Sequence, residues 1–338
     1  MGEEVEISKS NLWPDATLSS IFLSQIEELA EIRNPAEDNL DELSKYLLSD
    51  IKPVYVFLPW RNQVLEMIPE HEFFEIKTNR NQLLITSKEQ KALYALKVSI
   101  AGMSVGSSIL YGLVGAGIAK SFVISDFDSY STSNLNRVQA TVIDVGKNKA
   151  VVARRRALEM NPFVNITVMT EPITVDNMNV FFGHDTSDII FEEIDDFKMK
   201  IAIREAAKEL KKPFVMLTNL ADSVQIDVER HDRGDFKIFN GYVSDQVISS
   251  IKEKPKISTD DMKLLSVSLV DSSLLPESAF ESLRQIGTKL VGRPQLYSTV
   301  ALDSGIAPYL VRCICLENSI QSGRYVLSLN DVKGSQKA

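Results

Sequence analysis

Between residues 98 and 228, short apolar runs alternate with stretches of helical length. Val98–Ala101, Phe122–Ser125, Ile166–Met169, Ile189–Phe191, Phe214–Leu217 and Val224–Val228 read as strands. Between them, residues 107–119 form an almost wholly apolar helical pattern, and 146–160, 175–182 and 199–210 read as further helices. Strands that alternate with helices in this way predict an α/β fold. The sheet expected is doubly wound, mostly parallel and Rossmann-like.

The flanks are less regular. Leu18, Phe22, Ile26, Leu29 and Ile32 recur at helical spacing, which predicts an amphipathic helix over 14–33, ended by Asn34-Pro35. A shorter helix over 40–48, a strand over 54–58 and an apolar run over 64–68 complete a small α/β appendage, read as a helical pair on a hairpin. Residues 1–75 are therefore expected to be a docking or dimerising appendage, and 76–338 the main domain, entered through one or two helices over 76–96. Within that domain the pattern loosens over 231–293, where 259–270 and 276–290 look helical. A helix over 295–316 and a strand over 323–327 then close it, within a closing unit at 294–330.

Composition removes several classes. The apolar share is 44% and the charged share 25%, ordinary for a globular chain. No apolar run approaches the roughly 20 residues of a membrane span, and the polar, acidic start is unlike a secretory signal. Cys313 and Cys315 are too close for an easy disulfide, which points to a reducing compartment, the cytosol. A net charge of −9 disfavours a nucleic-acid partner without excluding a local basic groove.

The chemistry concentrates after the first strand. Gly102 to Gly106 form a tight turn before a helix, where backbone N–H groups can meet a phosphate. The segment GMSVG also fits the nucleophile-elbow pattern G-x-S-x-G, which would make Ser104 a nucleophile served by His184 or His231. As a dinucleotide site the turn departs from G-x-G-x-x-G, with Met103 or Ser104 at the second glycine position depending on register. Asp126 nonetheless stands about 20 residues on, where a ribose-binding acid belongs. The next loop, DFDSYSTSNLNRVQ, gathers two carboxylates, amides and an arginine. Lys149 opens the following helix and Asp195-Asp196 follows a later strand. All fall where ligands bind in an open α/β sheet. Arg137 and Lys149 beside Asp126 and Asp195 suit a polyphosphate that carries magnesium.

In their order and spacing, AGMSVGS, DFD, SNLNR, GKNKA and EEIDDFKMK resemble the ThiF/MoeB family, bacterial relatives of the ubiquitin-activating enzymes. The resemblance covers roughly 78–230. It implies an ATP- and Mg²⁺-dependent adenylyltransferase that activates a carboxylate and releases pyrophosphate. The expected acceptor is the C-terminus of a small ubiquitin-like sulfur carrier or a peptide, and a modified tRNA base is the least favoured. The resemblance also implies a homodimer in which an arginine upstream of the core, here Arg80, reaches the partner's site.

Carried over position by position, Asp126 would bind the ribose and Gly102, Ser104 and Gly106 would shape the turn under the phosphates. Asn134, Arg137 and Lys149 would hold the triphosphate, and Asp195 would hold magnesium. Asp128 would join the nucleotide site or only shape its loop, and Asp196 reads as a helix cap. The paired C-x-x-C motifs of zinc-bearing members are missing, so zinc is not expected, and neither cysteine suits a thioester. The alternatives are a catalytically reduced nucleotide-binding scaffold and, further off, an NAD-dependent oxidoreductase.

Overall fold

The computed structural model describes residues 4–332, apart from 185, 256, 259–260, 262–264, 266–267 and 318. The chain builds β1 (Glu6–Ser8), β2 (Thr17–Ser20), α1 (Phe22–Arg33), α2 (Asp41–Asp50), β3 (Val54–Leu58), β4 (Gln63–Met67), α3 (Glu70–Thr78) and α4 (Ser87–Tyr94). The central part follows as β5 (Lys97–Ala101), α5 (Gly106–Gly115), β6 (Ser121–Ser125), α6 (Lys149–Met160), β7 (Asn165–Met169), α7 (Met178–Phe181), β8 (Ile189–Glu192), α8 (Phe197–Glu209), β9 (Pro213–Leu220) and β10 (Ser223–Arg230). Last come α9 (Asp245–Glu253), α10 (Glu277–Gln285), α11 (Tyr297–Arg312) and β11 (Gly323–Ser328).

The main sheet has seven strands in the order β11-β10-β9-β8-β5-β6-β7. From β9 to β7 every pairing is parallel, and β10 and β11 add antiparallel strands at one edge. The central parallel strands β6, β8 and β9 are mostly apolar because helices cover both faces of the sheet. One cluster joins β5, β6 and α5 to Ala150, Ala153 and Ala157 of α6 and to Ile306, Leu310 and Val311 of α11. Here α11 lies directly on α5: a Cβ on Gly112 would stand 2.0 Å from the Ser304 carbonyl oxygen, so only glycine allows the approach. On the other side of the sheet, α8 is anchored by charge. Arg204 is fully buried between the rings of Phe214 and Phe239, at 4.3 and 4.2 Å. It donates to Glu192 at 2.6 Å and to Glu229 at 2.8 Å, while Lys200 meets Glu192 at 2.8 Å and His231 meets Glu229 at 3.1 Å.

The sequence reading needs five corrections here. The helix expected over 14–33 starts only at Phe22, because Thr17–Ser20 pair in parallel with Gln63–Glu66 as β2. The appendage is thus a four-stranded sheet, β1-β3-β4-β2, under two helices rather than a hairpin. The helix expected over 175–182 shrinks to Met178–Phe181, since the Asn177 side chain accepts from the Thr174 N–H and holds a turn instead. The α5 helix stops at Gly115, ahead of Gly117 and Ala119, both at positive φ. Finally, Tyr297–Glu317 is long and apolar enough for a membrane span by length and composition, against the sequence expectation. It is a core helix here, more than half buried against α5 and the sheet. The helix expected over 259–270 lies largely outside the described residues.

The appendage is tied to the main sheet through α6. Glu159 accepts from Trp60 at 2.6 Å and from Arg61 at 2.8 and 3.0 Å, and Phe163 packs with Val56, Leu58 and Met67.

Candidate nucleotide site at the strand ends

Strands β5, β6 and β8 end in register, with Ala101 paired to Ser125 on one side and to Glu192 on the other. The residues just beyond them therefore share one crevice. Gly102 has φ +87°, and an added Cβ would stand 2.6 Å from the Glu193 carbonyl oxygen, so glycine is required twice over. The turn is held by Asp126, whose Oδ2 accepts from the Met103 N–H at 2.7 Å and whose Oδ1 accepts from the Asp128 N–H at 2.8 Å. Burial raises the Asp126 pKa above the ordinary carboxylate value, with Lys149 and those two N–H groups opposing.

In one register of the motif Met103 stands at the second glycine position, where a side chain would hinder the backbone's approach to a phosphate. The structure removes that objection. The Met103 side chain is fully buried in the core, against the place where Gly106 lacks a Cβ. Ser104 is half-buried, and its carbonyl accepts from the Ser107 hydroxyl at 2.8 Å.

Lys149, nearly buried at the start of α6, donates to Asp128 at 2.8 Å. Asn148 caps that helix through Val151 and donates to the Asp126 carbonyl at 2.8 Å, which fixes the loop's return. Asp126, Asp128 and Lys149 thus form one cluster beside the glycine turn. Asn134 spends its Oδ1 on the Ser131 N–H at 3.0 Å, closing a short 3₁₀ turn. Arg137 donates to the Ser133 carbonyl and to Asn136 Oδ1, both at 2.9 Å. Its Nε is buried without a partner among the described residues. Burial lowers the Arg137 pKa, with the negative charge of Asp195 opposing the shift and Arg293 adding to it. Asp195 is exposed, and Asp196 caps α8 by accepting from the Met199 N–H at 3.0 Å, as the sequence predicts.

One expected residue stands apart. Arg80 is exposed on the turn between α3 and α4, with no hydrogen bond or ion pair to the crevice among the described residues. The Ser104 nucleophile reading fails on geometry. His184 lies beside Lys97, Ser121 and Asn165, at the starts of strands whose ends carry Ser104. His231 follows β10, whose last residue pairs with the first residue of β9, again the far end of the sheet.

Sequence reasoning misses Arg293, Asn219 and two acids behind the crevice, the half-buried Glu193 and the fully buried Asp303. Glu193 accepts from the Leu217 N–H at 2.7 Å, and Asp303 accepts from Asn219 at 3.1 and 3.3 Å. Burial pushes Asp303 up to about 8 and Glu193 well above its ordinary value, the latter also through Asp303. EEIDD advertises the acids, but only the fold reveals that Asp303 faces them. At the far end of α11, burial drives the Cys315 thiol up to about 12, far from a thiolate at neutral pH.

A model of the ThiF family matches residues 78–225. The chain carries a ThiF-family domain. That domain runs from the end of α3 into β10 and contains the whole glycine turn, the Asp126 loop, Lys149 and Asp195. The protein MT1398 of Mycobacterium tuberculosis is 31% identical over 303 residues, which is 88% of this chain and 40% of that protein. The sulfur carrier protein adenylyltransferase of Thermus thermophilus is 31% identical over 128 residues, 37% of this chain and 46% of its own length. The chain therefore spans less than half the length of either relative. Among solved structures, the E. coli tRNA N6-threonylcarbamoyladenosine dehydratase TcdA, in complex with AMP, superposes with a TM-score of 0.52 at 17% identity. That match covers 72% of this chain and 96% of TcdA, and it shows a shared fold.

Proposed function

We propose that this ThiF-family domain adenylates a carboxylate with ATP and Mg²⁺. The observation that carries the reading is the buried, unpartnered Nε of Arg137, on a side chain near enough to Asp195 to feel its charge. A buried donor without an acceptor is a cost that an anionic oxygen removes. The glycine turn and the Asp126–Lys149 cluster supply the rest of a nucleotide cradle, and the chain is similar over part of its length to relatives named as adenylyltransferases. Asp126 would take the ribose through the lone pairs its backbone bonds leave free. Lys149 and Arg137 would hold the phosphates, and the Asn134 Nδ2 is oriented by its Oδ1 bond.

In the reaction a carboxylate oxygen bonds to the α-phosphorus, the bond from that phosphorus to the bridging oxygen breaks, and pyrophosphate leaves. Carboxylate and phosphate repel, so the preorganised cations of Arg137 and Lys149 supply the countercharge. Among the described residues no cluster of three metal-ligating side chains exists. One exposed carboxylate, Asp195, still fits Mg²⁺, which takes one or two carboxylates together with substrate phosphates. Bound there, the ion would neutralise the departing pyrophosphate.

We further assign the acceptor to a carrier-protein or peptide C-terminus, place the protein in the cytosol, and read it as a homodimer in which Arg80 crosses to the partner. The chain's two cysteines are free thiols, in keeping with a reducing compartment. A modified tRNA base, the substrate type named for TcdA, ranks below a peptide because of the net charge of −9. One observation favours a second reading, a nucleotide-binding scaffold: Lys149 is already paired with Asp128, which leaves less of its charge for phosphate.

ATP–pyrophosphate exchange with Asp195→Asn decides between them. Exposed and outside the hydrogen-bond network, Asp195 can be changed without unfolding the chain, and exchange should fall at least a hundredfold at an unchanged melting temperature. Undiminished exchange in that variant would remove the magnesium role. ATP binding without exchange in the wild type, with carboxylate present, would favour the scaffold.

A further inference from the structure

Beside the nucleotide crevice lies an apolar cavity of about 440 Å³, within the range of small-ligand sites. Its floor is the end of β9 at Asn219, and its walls include Leu275, Ala279 and Phe280 on one side and Arg293 and Leu296 on the other. It is continuous with the proposed catalytic loop. Asn136, next to Arg137, donates to the Gln295 carbonyl at 3.1 Å, between two residues of the wall. Arg293, the one charged side chain among the described residues of the lining, is close enough to Arg137 to shift its titration.

The floor also holds an unmet need. Asn219 is 4% exposed, its Nδ2 is committed to Asp303, and its Oδ1 is buried with no donor among the described residues. Three features thus converge: cations at one rim, an apolar chamber, and an acceptor at the base that lacks an N–H or O–H.

We infer that this cavity takes the C-terminal residue of the acceptor peptide, and that this residue is bulky and apolar. Its carboxylate would lie toward Arg137 and Arg293, its side chain against Leu275 and Phe280, and a backbone N–H would reach Asn219 Oδ1. The inference rests on the adenylation reading for the role of the carboxylate, while the chamber's preference for an apolar residue is a separate property. A C-terminal glycine would leave the chamber unfilled.

The probes are alanine pentapeptides ending in phenylalanine or in glycine, each with a free carboxylate, and the phenylalanine peptide as its amide. Calorimetry on the full chain, without nucleotide, should show the phenylalanine peptide binding at least tenfold more tightly than either of the others. Ala279→Trp, which fills the chamber, should erase that preference while leaving ATP binding unchanged. Ser278→Trp on the same wall, at an exposed position, provides the same test if the first variant folds poorly. Equal affinities, no binding of either peptide, or a preference that survives in a folded filled variant would overturn the inference. Exchange with both peptides at equal rates would sink it and spare the adenylation reading. Selective peptide binding with no exchange would do the reverse.

Discussion

Arg204→Met tests how the crevice is held up. In the wild type Arg204 is fully buried and lies between two carboxylates that are themselves inaccessible, Glu192 at 2.6 Å and Glu229 at 2.8 Å. Methionine keeps much of the volume between Phe214 and Phe239 but removes the charge. Lys200 would remain on Glu192 and His231 on Glu229, so each acid loses one of its two side-chain partners. Breaking a buried pair from one side costs about 3–5 kcal/mol, because the other charge stays in a poor solvent. In a domain of this size that corresponds to a loss of roughly 10 °C in melting temperature.

The loss should depend on pH, and the sign follows from Glu192. Burial pushes its pKa up, but Lys200 and Arg204 outweigh that and hold it below the ordinary value. In the wild type this stabilisation is present above the unfolded carboxylate pKa and is lost as pH falls through the folded one. In Arg204→Met burial is less opposed, Glu192 titrates higher, and the variant's deficit is greatest at pH 7–8 and narrows toward pH 5. Thermal melts by circular dichroism across that range read it directly. Adding Glu192→Gln and Glu229→Gln should recover much of the stability. A loss below about 3 °C at pH 7.5, or a deficit constant with pH, would refute the reasoning. Activity should fall before the fold does, since Glu192 also accepts from the Ile194 N–H at 2.8 Å and so positions the loop that carries Asp195.

Other outcomes follow from single contacts. Gly102→Ala places a Cβ 2.6 Å from the Glu193 carbonyl at φ +87°, and should yield a chain with strongly lowered stability in urea titrations; near-wild-type stability would mean the turn yields easily. Asp303 has a folded pKa of about 8, above its unfolded value, so it favours folding below that unfolded value and the benefit is lost as pH rises through 8. Asp303→Asn should therefore raise the melting temperature more at pH 8.5 than at pH 6, and an equal effect at both would exclude a buried proton at that site. With its thiol held near 12, Cys315 should resist iodoacetamide at pH 8 in the native state and react on unfolding, as peptide mass spectrometry would report. Arg61→Ala loosens the appendage through Glu159, and because Arg61 is half exposed the change in melting temperature should be only a few degrees.

The parallel core was legible because KVSIA, SFVIS and DIIF are mostly apolar runs between helices, a pattern few other arrangements bury. The small sheet was not. TLSS is polar and mostly exposed, and it becomes a strand only because β4 offers it a backbone partner. The site divides in the same way. Asp126, Arg137, Lys149 and Asp195 lie within 70 residues of one another, at ends of strands the pattern could locate. Asn219, Arg293 and Asp303 come from later segments, and no local spacing links them to the first group. Met103 misled for a related reason: a one-dimensional motif says where a residue stands, and the direction of its side chain is set by the packing of α5 on β5.

The contact of Gly112 with Ser304 also has a consequence for how the molecule is made. Helix α5 leaves the ribosome before α11, which packs on it at Gly112, and nearly two hundred residues separate the two. The parallel strands can align as they appear, but this seam cannot close until residue 312 has left the ribosome. A nascent chain that stalls within 231–293 therefore displays the bare face of α5 to the cell, where a chaperone would recognise it before any nucleotide could.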